Sequence, residues 1–414
     1  MRIAFVSQPM DSVVSNQNSI GIWTYEISRR LGRDHDVRVY CRADATDHRV
    51  AGVAFRGIST RTDIRLNRIT KKLLTRNPPD QPYFSSRAFF FPYAAQVAMD
   101  LRSFHADVIH LHNFSQFAPL IKRLNPRSRL VLHMHCEWLS QLDRALIESR
   151  LRHVDGIAGC SGYITDAIAN RFPAYADKCA TLHNGVDPKR FKPCPPDGAP
   201  GAESRVRLLF VGRVSPEKGL HYLIDALPAV KNRLENLTLD IVGSKRQLPH
   251  EYLAALSEDS LSVELSAFYR NEDRTHYCGH LLEKIRALGL ESCVTLHGHL
   301  PHSDLPEFYR RADILVNPSL SESFGMSLIE AMASGVPVVA TDIGGMPEIV
   351  SCADVGAIVP PGESGALAGA IVDLALDGEK RSKMGQNGRR QAMERYSWGG
   401  IAASLAPLYR TIPN

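Results

Sequence analysis

Two stretches of the chain open in the same way, and that likeness constrains the fold more than any other feature. "RIAFVSQ" at residues 2–8 and "RVRLLFVGRV" at 205–214 are short, continuously apolar and followed by small or polar residues. Strands buried on both faces of a parallel sheet read like this, because covering helices leave no solvent side to impose alternation. Each opening starts its own series. After the first come the helical "GIWTYEISRRLG" and the strand-like "DVRVYC", "ADVIHLH", "RLVLHMH" and "GIAGCS". After the second come the helical "GLHYLIDALPAVKNRL" and the strand-like "LTLDIVG", "CVTLHG", "ADILVNP" and "VPVVAT". This alternation predicts α/β domains with parallel sheets.

Between the two series lies "KPCPPDGAPGAES", residues 192–204, rich in Pro and Gly and poor in apolar side chains. It has the composition of a linker. The expected organisation is a Rossmann-like domain over 1–192, a linker over 193–204 and a second Rossmann-like domain over 205–395. A last helix over 396–414 is expected to pack back on the first domain. Ligands of open α/β sheets bind outside the carboxyl ends of the strands. Two such sheets are therefore expected to face an interdomain cleft, and the informative residues are those at the strand ends.

Composition narrows the function classes. A hydrophobic content of 44% with 22% charged residues is that of an ordinary globular protein. The formal net charge of +5 demands no nucleic-acid partner, and no nucleic-acid-binding pattern stands in the chain. None of the eight cysteines forms a C-x-x-C pair, so they read as free thiols rather than a zinc or disulfide framework. "MRIAFVSQPMDS" lacks the long apolar core of a signal peptide. No window approaches the ~18 apolar residues of a membrane span. A cytoplasmic location is the expectation.

The second series carries the most specific strand ends. After "RLLFVG" comes "RVSPEKG", which presents Arg213 and Lys218 in a turn that opens a helix. Two cations beside free helix amides suit an anion. "SESFGMSLIEAMASGVPVVATDIGG", residues 321–345, holds Glu322 in the loop after a strand and Glu330 on the helix that follows. The amides of Phe324, Gly325, Met326 and Ser327 are first-turn donors, again suited to an anion. A carboxylate would repel a phosphate there, but it accepts hydrogen bonds from adjacent hydroxyls. The pattern suits a sugar on each side of a diphosphate.

In the first series the strand ends carry histidines: His110 and His112, then His133 and His135. Residues at i and i+2 share one face of a strand, which is the spacing of a metal pair, but no carboxylate completes a ligand set. His110 and His133 read as structural, and His135, last in its strand, as a substrate contact. Gly21 opens a helix on the same side.

These pieces resemble a retaining glycosyltransferase of family 4, which has the two-domain GT-B fold. The resemblance rests on "SIGIWTYEISRRL", "DVIHLH", "LVLHMH", "AGCSGYI", "LHNGVDPKRFKP", "LLFVGRVSPEKGLHYLIDAL", "VTLHGHL" and the E-x7-E segment with its flanks. It implies that Glu322 meets the hydroxyls of the donor sugar and Glu330 the ribose. Arg213 and Lys218 would hold the diphosphate, and the amides of Phe324 and Gly325 would touch sugar and phosphates. His135 would touch the transferred sugar, Gly21 would leave room beside the phosphates, and Leu300 would lie near the base. Two departures stand out: Ser19-Ile20-Gly21 where relatives have paired glycines, and a long connection over 244–293 with no assigned role.

The implied reaction transfers a hexose or hexose derivative from a nucleotide-sugar to an acceptor hydroxyl with retention. Arg213 and Lys218 would stand in for a divalent metal, so no metal and no cofactor is expected. The string Asp34 to Asp36 lies at the wrong end of the sheet to bind one. The acceptor is a glycan, a lipid-linked sugar or a small molecule. Segment 61–76, "RTDIRLNRITKKLLTR", has six basic residues against one acid; it reads as a solvated helix, a flap over the acceptor, or a basic helix on an anionic membrane. The other readings of the whole chain are a nucleotide-sugar epimerase of the same fold and a binding protein without catalysis.

Overall fold

The computed structural model describes residues 1–10, 13, 18–43, 50–73, 78–194, 205–245, 265, 267–269, 276–351 and 354–412. The chain forms two compact units, Met1–Asn184 with Trp398–Asn414, and Gly185–Ser397.

The first unit is built on a seven-stranded sheet. Its strands are β1 (Arg2–Val6), β2 (Asp36–Arg42), β3 (Val53–Ile58), β4 (Val108–His112), β5 (Arg129–Met134), β6 (Gly156–Gly159) and β7 (Cys179–Thr181). They lie in the order β3-β2-β1-β4-β5-β6-β7, and every pairing is parallel. Ile3, Ala4, Phe5 and Val6 of the central β1 are all 0% exposed, which is why that strand reads as one apolar run. The helix Ser19–Leu31 begins where Asn18 accepts a hydrogen bond from the Gly21 amide at 2.8 Å, a side-chain N-cap.

The second unit repeats the plan with β8 (Val206–Val211), β9 (Leu237–Val242), β10 (Val294–Gly298), β11 (Ile314–Asn317), β12 (Val338–Thr341) and β13 (Gly356–Val359). The order is β10-β9-β8-β11-β12-β13, again all parallel. Because β8 is followed in the chain by β9 on one side and bordered by β11 on the other, the strand order reverses there. A crevice opens at the carboxyl ends of such a pair.

Both sheets gain edges that the sequence reading did not contain. β3 and β13 close one side each, and β7 closes the other side of the first sheet. Most of their side chains are half-buried or exposed. β3 breaks its apolar run at Arg56, β7 is only three residues long, and β13, although apolar, is a four-residue strand with only Val359 buried.

The boundary between the units falls at Asn184, earlier than the expected 192, because residues 185–193 are tied to the second unit. The Val186 amide donates to the Tyr396 carbonyl at 2.7 Å, Arg389 donates to the Phe191 carbonyl at 2.7 Å, and Phe191 packs on Tyr309. The last helix, Trp398–Thr411, belongs to the first unit. Its Tyr409 hydroxyl pairs with His110 Nδ1 at 2.8 Å. Residues 195–204 of the expected 193–204 linker, and about half of the connection over 244–293, lie outside the described residues.

Candidate active site

In the second unit, the turn after β8 and the loop after β11 meet at the strand-order reversal. The turn runs through a 3-10 helix, Pro216–Lys218, into the helix Leu220–Lys231. Gly219 joins them with φ 64°, and a Cβ there would stand 1.9 Å from the Pro318 carbonyl oxygen. Only glycine lets the turn lie this close to the end of β11. Two backbone bonds lock the approach: the amides of Leu320 and Ser321 both donate to the Glu217 carbonyl, at 2.8 and 3.3 Å.

This docking brings Lys218 to Glu322. The ammonium lies 2.9 Å from Glu322 Oε2 and donates to the Ser321 carbonyl at 3.1 Å. Both side chains keep about a fifth of their surface exposed, 18% and 22%. Arg213 stands 3.7 Å from Glu217 Oε1 and is 34% exposed. Glu217, which the sequence reading passed over, is only 2% exposed. It accepts from Ser215 at 2.5 Å and from Tyr269 at 2.9 Å. Burial and the neighbouring Glu217 carboxylate both push the Tyr269 phenol upward. No signal in "SPEKG" separates a buried Glu217 from a surface one, because Tyr269 comes from far along the chain.

The helix Met326–Ala333 opens at Gly325, whose φ is 102°. Phe324 is buried and meets Tyr396 edge to face, and its amide lies 3.4 Å from Glu322 Oε1. Ser327 accepts from Asn317 at 3.4 Å, while Met326 takes the first position of the helix and is half-buried. Glu330 is 4% exposed. Its Oε1 pairs with His302 Nε2 at 2.6 Å and its Oε2 accepts from the Tyr309 hydroxyl at 2.7 Å. Leu300 follows β10, two strands away from β11's neighbour β8, and is half-buried.

In the first unit, Gly21 is buried and its amide is taken up by Asn18. His135 follows the end of β5, its own amide donating to Asn113 Oδ1 at 2.7 Å. Around it the four histidines pack on Trp23, which stacks on His110 at 5.0 Å. Two hydrogen-bonded pairs result: His110 Nε2 with His133 Nδ1 at 3.1 Å, and His112 Nδ1 with His135 Nε2 at 3.0 Å. Burial lowers all four, His110 and His135 to about 3, so the rings are neutral at physiological pH.

Neutrality, with the Thr24 bond, fixes which nitrogen carries the proton in His112 and His135. Thr24 donates its hydroxyl proton to the Ile20 carbonyl at 2.8 Å, and its oxygen lies 3.2 Å from His112 Nε2. His112 must therefore hold its proton on Nε2 and offer Nδ1 as acceptor. His135 then donates from Nε2, which leaves a bare lone pair on Nδ1. That atom is buried without a partner among the described residues.

Nitrogens of His110, His112 and His133 lie within 4.8 Å of one another, the spacing of a possible metal site. Both nitrogens of His110 and both of His112 are already engaged, with Tyr409, His133, Thr24 and His135. An ion would have to displace these bonds, and no carboxylate belongs to the cluster.

Two parallel-sheet domains with a cation and carboxylate at the reversal point of the second define a GT-B protein. The family described as "Glycosyl transferases group 1" matches residues 199–391, and "Glycosyltransferase Family 4" matches residues 20–190. The chain belongs to the GT-B glycosyltransferases. It is 27% identical over 333 residues to spore coat protein SA of Bacillus subtilis, covering 77% of this chain and 81% of that one. It is 29% identical over 262 residues to a D-inositol 3-phosphate glycosyltransferase of Streptomyces coelicolor, covering 59% and 52%. Among solved structures, sucrose-phosphate synthase from Thermosynechococcus elongatus superposes with TM-score 0.74 at 21% identity, covering 99% and 98%. Anabaena HepE in complex with UDP superposes with TM-score 0.72 at 21% identity, covering 99% and 100%.

Proposed function

We propose that the protein transfers a hexose or hexose derivative from a nucleotide-sugar to an acceptor hydroxyl, with retention of anomeric configuration and without a metal. The observation that carries this reading is the Lys218–Glu322 pair, 2.9 Å apart at the carboxyl ends of neighbouring strands. A cation for phosphate oxygens and a carboxylate for sugar hydroxyls are the two chemistries such a donor needs side by side. HepE has been solved with UDP-glucose, and another relative is described as a GDP-mannose-dependent mannosyltransferase; these support the donor class without choosing the nucleotide.

In this reading Lys218 and Arg213 bind the diphosphate and stabilise charge that grows on it as the glycosidic bond breaks. The first-turn amides of the helix Met326–Ala333 and the amides of Phe324 and Gly325 add to that field. Glu322 orients the transferred sugar, and His135 touches it. Glu330 meets the ribose. A carboxylate has about four acceptor sites, so it can keep His302 and Tyr309 and accept ribose hydroxyls as well. The leaving diphosphate takes the acceptor's proton. Gly21 leaves room beside it, and Leu300 lies against the base.

A thermal-shift panel of UDP-, GDP-, dTDP- and ADP-sugars tests the donor claim, because a ligand of the native state raises the unfolding midpoint. One nucleotide series is expected to stabilise the protein and the same nucleoside diphosphate to compete with it. No stabilisation by any member would overturn the reading.

A further inference from the structure

The helix Arg61–Leu73 is packed the wrong way round for a solvated helix. Its inward face is polar. Asp63 is 0% exposed and its Oδ1 accepts from the Tyr93 amide at 3.0 Å. One turn on, Asn67 Oδ1 accepts from the Tyr83 hydroxyl at 3.0 Å and the Phe90 amide at 3.3 Å. Thr70, a turn further, hydrogen-bonds the same Tyr83 hydroxyl. The helix is thus held to the first unit by hydrogen bonds along i, i+4 and i+7.

Its apolar side chains point outward instead. Ile64 is 52% exposed, Leu66 41% and Ile69 57%. Between them Arg61, Arg65, Arg68 and Lys72 follow one another at i, i+4, i+7 and i+11, all exposed, in one stripe along the helix. Among the described residues none of these four has an ion-pair partner. The patch continues past the helix, because the bonds to Phe90 and Tyr93 pin the start of the helix Phe91–Phe104 beside it, and Phe91 there is 51% exposed. A 210 Å³ cavity next to Phe91 is lined by Ala94, Phe117 and Leu120, with Arg87 and Arg123.

We infer that this face, centred on Ile64, Ile69, Phe91 and the Arg61–Lys72 stripe, docks on a lipid bilayer rich in anionic headgroups. The stripe alone would serve any polyanion. Exposed isoleucines on both sides of it, with a phenylalanine in continuation, distinguish a surface into which apolar groups can sink while the cations stay at the phosphates. No helix among the described residues is long and apolar enough to cross a membrane, so the contact is peripheral. It does not depend on the donor reading, since neither donor nor acceptor enters the measurement below.

The test is sedimentation of the full chain with vesicles of phosphatidylcholine alone and of phosphatidylcholine mixed equally with phosphatidylglycerol. The protein is expected to sediment with the mixed vesicles only, and less as salt rises. Each cation lost should weaken partitioning about fivefold, so Arg65→Ser/Arg68→Ser/Lys72→Ser should weaken it about 10²-fold. Ile64→Ser/Ile69→Ser should bind at low salt but be released at physiological salt, where the parent chain stays bound. Matching far-UV spectra of all variants confirm that folding is intact. Absence of binding at low salt overturns the proposal. So does an isoleucine variant that binds like the parent, since that would make the stripe a site for soluble polyanions.

Discussion

Thr24 gives its one hydroxyl proton to the Ile20 carbonyl, and so can only accept from His112 Nε2, 3.2 Å away. Through His112 this contact sets the tautomer of His135, two residues removed from Thr24 in the chain of hydrogen bonds. Thr24→Val keeps the shape and removes the acceptor. His112 can then move its proton to Nδ1 and donate to His135 Nε2, turning His135 Nδ1 from acceptor into donor. Nitrogen NMR of histidine-labelled protein should show His135 protonated at Nε2 in the parent and in Thr24→Ser, and at Nδ1 in Thr24→Val. If the proton does not flip, His112 Nε2–H is left unpaired and the variant should lose ~1–3 kcal/mol of stability. An unchanged tautomer with unchanged stability would refute the chain.

Lys218 and Glu322 offer the sharpest test of the catalytic reading. In that reading Lys218→Ala removes a charge proposed to stabilise the leaving diphosphate, and should lower kcat by ~10² or more. The same variant should also lose the thermal stabilisation that a nucleoside diphosphate confers on the parent. Steady-state turnover near the parent value would remove Lys218 from that role.

Glu330 combines a structural bond pattern with the proposed ribose contact, and the two separate by substitution. Glu330→Ala leaves the Tyr309 hydroxyl and His302 Nε2 without their acceptor in a buried site, at a cost of ~1–3 kcal/mol for each orphaned group. Glu330→Gln retains the volume and one acceptor oxygen and should cost less. Urea unfolding of both variants, and of Tyr309→Phe made in the parent and in the Glu330→Ala background, checks this: the tyrosine change should be nearly neutral in the Ala background and destabilising in the parent. Equal effects in both would show that the hydroxyl and carboxylate are not coupled.

The central strands were legible because burial on both faces leaves an unbroken apolar run, as in "IAFV" and "LLFV". The edges β3, β7 and β13 were not, because Arg56 interrupts "VAFRGI" and because "CAT" and "GAIV" are only three and four residues long and mostly half-buried, too short to stand out as strands. Strand ends were legible too, so the sequence alone places Arg213, Lys218 and Glu322 just beyond them. Their adjacency was not, since it depends on β8 lying beside β11, a fact of strand order and not of spacing. The partners of Glu330 escaped for the same reason: His302 and Tyr309 lie over twenty residues away and carry no motif. The helix Arg61–Leu73 shows the opposite limit. Its cations and apolar residues were visible, but helical spacing alone would turn Ile64 and Ile69 inward. The hydrogen bonds of Asp63, Asn67 and Thr70 decide the face.

In the proposed mechanism Arg213 and Lys218 together supply the positive charge that a divalent ion supplies in other phosphate-leaving reactions. Turnover with a saturating donor should therefore be unchanged by EDTA. Loss of turnover that added Mg²⁺ or Mn²⁺ restores would overturn the metal-independent mechanism while leaving the donor site standing.

The buried histidines make stability depend on pH in a defined direction. Burial holds His110 and His135 to about 3, with His112 and His133 also well below the ordinary value of 6.5. Between about pH 6.5 and about 3 the unfolded chain binds protons that the folded chain does not. Stability is full above 6.5 and falls as the pH drops through that window. Each histidine contributes at most ~1.4 kcal/mol per pH unit. Carboxylates begin to titrate below about pH 5, so the comparison belongs between pH 7.5 and 5. Urea midpoints should drop steadily from 6.5 to 5, while the far-UV spectrum of the folded state stays constant. A flat midpoint across that range would mean that the four rings take up protons in the native state, and that water reaches the cluster beneath Trp23.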